Sequence, residues 1–151
     1  MSFYNVTNPT SFSVVSDTRK SLVNPGKLTR SSAIQKLDPF NGNTSGSPIT
    51  AEQLIQGVLF VNPNVSSRSL YLPTASDLIQ LLMGPGGFDV SANDIFTLRV
   101  INTNSGGNDV NVTANSSGGS GGPIAVAPGV QRLINIQLTN VTSGSYAYSI
   151  F

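Results

Sequence analysis

One stretch limits the possible folds of this chain more than any other: Asn93-Asp94-Ile95-Phe96-Thr97-Leu98-Arg99-Val100-Ile101-Asn102-Thr103. In an extended backbone, side chains alternate between the two faces. Phe96, Leu98 and Val100 therefore share one side, and Ile95, Thr97, Arg99 and Ile101 the other. Aromatic and β-branched residues suit a pleated, largely buried surface, and polar turn formers bound the run at both ends. This is read as the central strand of a β domain, with Arg99 at an outward or interface position.

The 151 residues are enough for one domain with a single hydrophobic core. There is no cysteine and no histidine, which removes disulfides, thiolate and imidazole metal sites, and every Ser-His or Cys-His nucleophile. No cofactor and no enzyme activity are expected. Charge is unevenly spread. Up to Pro48 there are five basic and two acidic residues, a net of +3; beyond it there are three and five, a net of −2. No apolar run approaches the ~20 residues needed to span a bilayer, so membrane insertion is not expected. The opening Met-Ser-Phe-Tyr-Asn-Val-Thr lacks the plan of a signal peptide, which points to synthesis in the cytosol.

Residues 1–48 are rich in Ser, Thr, Asn and Pro, with isolated apolar residues at Phe3, Tyr4, Phe12, Val14, Val15, Leu22, Val23, Ile34, Leu37 and Phe40. That density is too thin for a private core and too high for a simple linker. Two readings stand. Either the segment is an extended arm that lays spaced anchors into another surface, with Ser11 to Ser16 adding a strand to a sheet edge, or it is a disordered tail. Asn41 to Pro48 marks the boundary with a folded body at 49–151.

Within the body, Thr50-Ala51-Glu52-Gln53 has the capping-box form and predicts a turn of helix ending at Gly57. Thr74-Ala75-Ser76-Asp77 opens a second, firmer helix that runs to Gly84-Pro85 with one side against a sheet. Strands are expected at Val58–Val61, Arg68–Leu72, Asp109–Ala114, Ile124–Ala127, Val130–Thr139 and Tyr146–Phe151. Asn104 to Asn108 reads as the turn of a hairpin joining the central strand to the next, and Ser116 to Gly122 as a flexible loop. The pattern favours an all-β fold, an antiparallel sandwich or jelly roll. The apolar, aromatic finish at Tyr146, Tyr148, Ile150 and Phe151 suggests a packed last strand and a candidate oligomer interface.

Little in the sequence suggests chemistry. Gly118 to Gly122 lacks the lysine, hydroxyl and helix of a phosphate loop. Asp89 and Asp94 could pair as acid and base or gather calcium ligands, but turn hydrogen bonding accounts for them. The basic residues of the arm are sparse and not interleaved with aromatics, so nucleic acid is not the expected partner. Six Asn-X-Ser/Thr sequons occur, at Asn5, Asn43, Asn64, Asn111, Asn115 and Asn140.

Four phrases in order, Thr50-Ala51-Glu52-Gln53-Leu54-Ile55-Gln56-Gly57, Leu72-Pro73-Thr74-Ala75-Ser76-Asp77-Leu78, Asp94 to Thr103 and Leu138 to Tyr148, resemble small structural proteins of large DNA viruses, with relatives among tailed-phage virion proteins. The resemblance covers Ile49 to Phe151. The chain departs from the commoner pattern at Gly84-Pro85-Gly86-Gly87 and at Ser116 to Gly122. What the resemblance implies is a compact jelly roll of the tumour-necrosis-factor and C1q type, often a homotrimer. It would serve as a minor capsid, cap or cement protein in the virion, anchored through its arm to the major capsid protein and other capsid subunits. The alternative is a receptor- or glycan-binding fibre head on the virion surface.

Overall fold

The computed structural model describes residues 35–85 and 87–151. In chain order these form β1 (Gln35–Leu37), α1 (Ala51–Ile55), β2 (Val58–Val61), β3 (Arg68–Tyr71), α2 (Ala75–Met83), β4 (Ile95–Asn102), β5 (Val110–Thr113), β6 (Gly119–Ser120), β7 (Ile124–Val126), β8 (Gln131–Asn140) and β9 (Ala147–Ile150). The body is mostly β, with two sheets and few helices. The larger sheet has the order β1-β2-β4-β8-β9-β6 and the smaller β3-β5-β7.

Both helices start where hydroxyl side chains hold orphan backbone donors. Thr50 Oγ1 accepts from the Gln53 N–H at 3.2 Å, while the Thr50 N–H donates to Gln53 Oε1 at 2.9 Å. Thr74 Oγ1 accepts from the Asp77 N–H at 3.1 Å and donates to Asp77 Oδ2 at 2.7 Å. Helix α2 buries Ala75, Leu78, Ile79 and Leu82, the side that a short helix must cover to persist. It packs on β9, and α1 packs on α2 and β2.

Between the sheets lies one core. Leu98 and Val100 of β4 meet Ile134, Ile136 and Leu138 of β8, Tyr148 of β9 and Leu59 and Val61 of β2, with Leu70, Val110, Val112 and Val126 from the smaller sheet. Each fully buried aliphatic side chain contributes about 1.5–3 kcal/mol, so strand β4 is fixed by its inner face. As expected from the sequence, it is central, between β2 and β8.

Strand direction departs from the antiparallel expectation. β4 pairs antiparallel with β8, β8 with β9, and β5 with β7; but β1 with β2, β2 with β4, β3 with β5, and β6 with β9 are parallel. The cause is the path of the chain. From β2 to β5, leaving α2 aside, it alternates between sheets, so it returns to each sheet running in its earlier direction. The hairpin expected at Asn104 to Asn108 is accordingly absent: β4 belongs to the larger sheet and β5 to the smaller.

Asparagine side chains build that crossing. Asn102, fully buried, donates through Nδ2 to the carbonyls of Asn108 and Val126, each at 2.8 Å, and accepts from the Asn104 N–H at 3.0 Å. Asn104 Oδ1 accepts from the N–H groups of Gly106 and Asn108, and its Nδ2 donates to Asn62 Oδ1 and the Asn64 carbonyl. A buried amide costs little once all its partners are present, and here it ties both sheets at one corner.

The boundary drawn from composition falls inside the folded body. β1 joins the larger sheet, Leu37 packs against the core and Phe40 is buried in it. Asn43 covers the free edge of β3: its Oδ1 accepts from the Tyr71 N–H at 2.7 Å and its Nδ2 donates to the Tyr71 carbonyl at 3.1 Å. Ile49 N–H donates to the same carbonyl. Such cover removes a template for unwanted strand pairing.

The segment Ser116 to Gly122 is a packed element rather than a free loop. It contains β6, which pairs with β9. A Cβ on Gly118, which has φ +85°, would lie 2.5 Å from the Tyr146 carbonyl oxygen and 2.7 Å from Ala75 Cβ. One on Gly119 would lie 2.8 Å from Tyr148 Cζ. Glycine is required there for close approach of backbone to backbone and ring.

Candidate interaction surface

Register across the larger sheet determines what its outer face presents. Phe60 of β2 lies beside Ile101 of β4, which lies beside Gln131 of β8. In the next row Val58, Arg99 and Leu133 are neighbours. Thr97 then pairs with Asn135, which exchanges backbone hydrogen bonds of 3.0 and 3.1 Å with Phe151. Ile95 faces Gln137, which faces Ser149.

This face is mixed. Ile95 is 51% exposed, Leu133 56% and Phe151 56%, while Val58, Phe60 and Ile101 are half-buried. The polar members are hydroxyls and side-chain amides, with Arg99 and, beside Phe60, the exposed Lys36 of β1 as cations, and no Asp or Glu in these rows. Single exposed apolar residues are ordinary on a protein surface. Here Ile95 of β4, Leu133 of β8 and Phe151, just past β9, share one face of one sheet with the half-buried Val58, Phe60 and Ile101.

The candidate interface residues separate by parity. Tyr148 and Ile150 point inward and are buried, and Tyr146 is half-buried against the core. Their atoms are occupied within the subunit, so they do not form one surface with Phe151, which faces outward. Ile95 and Leu133 were not singled out in the sequence. The signal was present, since Leu133 shares parity with Gln131, Asn135 and Gln137 and is the apolar exception among them.

Of the expected arm anchors, Leu37 and Phe40 are seated on this same body. Phe3, Tyr4, Phe12, Val14, Val15, Leu22 and Ile34 lie outside the described residues.

Tyr148 has a structural task. Its hydroxyl donates to the Pro73 carbonyl at 2.9 Å and accepts from the Asn115 N–H at 3.1 Å. It thereby joins β9, the entry to α2 and the glycine segment. Burial pushes its pKa from 10.0 up to about 12, against the lowering effect of the Asn115 hydrogen bond. A phenol so held is a poor proton carrier at neutral pH.

Asp94 Oδ2 accepts from the Ser91 N–H at 2.8 Å, a turn interaction, and Asp89 is exposed. Among the described residues no group of three or more His, Cys, Asp or Glu could hold a metal ion. No helix among them is long and apolar enough to cross a membrane. Comparison with protein-family models, curated proteins and solved structures returns no match for this chain.

Proposed function

We propose that this protein is a structural component of a virus particle, a minor capsid, cap or cement protein whose two-sheet body associates as a homotrimer and whose N-terminal segment docks on major capsid subunits. The observation that carries the reading is the outer face of the larger sheet. A body whose core is already complete still displays Ile95, Leu133 and Phe151 together with the half-buried Val58, Phe60 and Ile101. Such a face is suited to burial against copies of itself.

Two further features support it. The phrases from Thr50 to Tyr148 resemble virion structural proteins, which are similar to compact jelly rolls of the tumour-necrosis-factor and C1q type that often associate as trimers. Ahead of Gln35, spaced aromatic and aliphatic residues within a basic segment provide the chemistry for a long, low-density contact with another chain. Limited proteolysis of the free protein and of assembled particles tests the docking. Cleavage within residues 1–34 is expected to slow markedly in particles; equal lability in both states would count against it.

A further inference from the structure

The sequons acquire meaning from where the fold puts their side chains. Asn115 is fully buried. Its Nδ2 donates to the Ser45 carbonyl at 2.8 Å, and its Oδ1 accepts from the Ser117 N–H at 2.9 Å. No space exists there for a sugar on Nδ2.

Asn43 is constrained by stereochemistry. Its amide both accepts from and donates to Tyr71, so it uses the N–H on the same side as its oxygen. In a trans secondary amide that position is taken by the new substituent, and the cis form costs about 2.5 kcal/mol. A glycosylated Asn43 therefore loses its bond to the Tyr71 carbonyl, and with it part of the cover over the edge of β3.

Asn64 differs. It is exposed at a turn, with φ +28°, and contributes to the asparagine corner through its main-chain carbonyl, which accepts from Asn104 and Asn108. Substitution at its Nδ2 leaves those bonds intact.

We propose that Asn64 can carry an N-linked glycan on the folded surface, whereas glycosylation of Asn115 and folding of this body exclude each other, and glycosylation of Asn43 loosens the cover over β3. In the transfer, Asn Nδ2 attacks C1 of a lipid-pyrophosphate-linked oligosaccharide. The N–C1 bond forms, the C1–O bond breaks, the lipid pyrophosphate leaves, and the amide gives one proton to a base on the transferase. A chain modified at Asn115 before it folds cannot close the contact between the glycine segment and Ser45.

The test directs the full chain into a glycosylating secretory pathway with an added signal and separates soluble, protease-resistant protein from insoluble protein. Site occupancy is then read by peptide mass. In the folded fraction, Asn64 is expected to be occupied, Asn115 to be lower by roughly a hundredfold or more, and Asn43 to fall between the two. The insoluble fraction should carry glycans at Asn115. Ser45→Ala with Ser117→Ala removes both sequons while keeping the main-chain bonds of those residues, and should raise the folded yield; Ser66→Ala should not. The same double variant made in a bacterial cytosol checks that the alanines themselves are tolerated. Equal occupancy of Asn115 and Asn64 in folded protein, or insoluble protein without glycans at Asn115, would overturn the proposal.

Discussion

The two faces of the larger sheet are made by the same strands and have different compositions. On the inner face, Leu98, Val100, Ile134, Ile136, Leu138 and Tyr148 are fully buried, and a buried polar residue, Asn102, has all of its amide partners nearby. The outer face alternates Ile95, Leu133 and Phe151 with threonine, glutamine, asparagine and Arg99. The inner face holds the subunit together, so its residues are bound by packing within the chain. The outer face contributes little to that packing, and its apolar members are the ones left free for the proposed association between chains.

The comparison is broken most directly from the inside. Leu98→Ala removes a fully buried side chain opposite Ile134 and should cost about 2–5 kcal/mol, read as a fall in the denaturant midpoint with little change in slope. A cost below about 1 kcal/mol would mean that β4 is not the centre of the core.

Next in size is the Tyr148 hydroxyl. Tyr148→Phe leaves the Pro73 carbonyl and the Asn115 N–H without that partner and should cost about 1–3 kcal/mol at neutral pH. Its pH signature is more specific. With the pKa raised from 10.0 to about 12, the folded state keeps the phenolic proton more tightly than the unfolded chain. This contribution is intact below pH 10 and is lost as the pH rises through about 12, a change of roughly 3 kcal/mol. Chemical denaturation across that window should show a steeper loss for the parent than for Tyr148→Phe. Parallel curves would contradict the assignment.

Much of the inner face could be read from residues alone. Period-two alternation identified β4 and β8, and the hydroxyl at Thr50 and Thr74 marked both helix starts. The path between the sheets could not be read so easily. An Asn and Gly turn after a strand serves a hairpin or a sheet crossing equally well. What decides is the bond from Asn102 to the Val126 carbonyl, made with a residue 24 positions away. The glycine segment misled for a related reason: Gly119 lacks a side chain because Tyr148 occupies the space, a contact invisible to local pattern. For the candidate interface, parity already separated Phe151 from Tyr146, Tyr148 and Ile150. Which side met the core was set by the register with β8.

Outer-face changes should have the smallest effect on the isolated subunit. Leu133→Asp with Phe151→Asp alters exposed positions, and at high dilution should change subunit stability by about 0.5 kcal/mol or less. Association is where these substitutions should act, because a folded oligomer couples apparent stability to concentration. The decisive measurement is the mass of the full chain by light scattering at micromolar concentration, with and without that double substitution. The parent is expected near three times the 15.8 kDa of one chain and the variant near one. A parent protein that scatters as a monomer would contradict the assignment of this face.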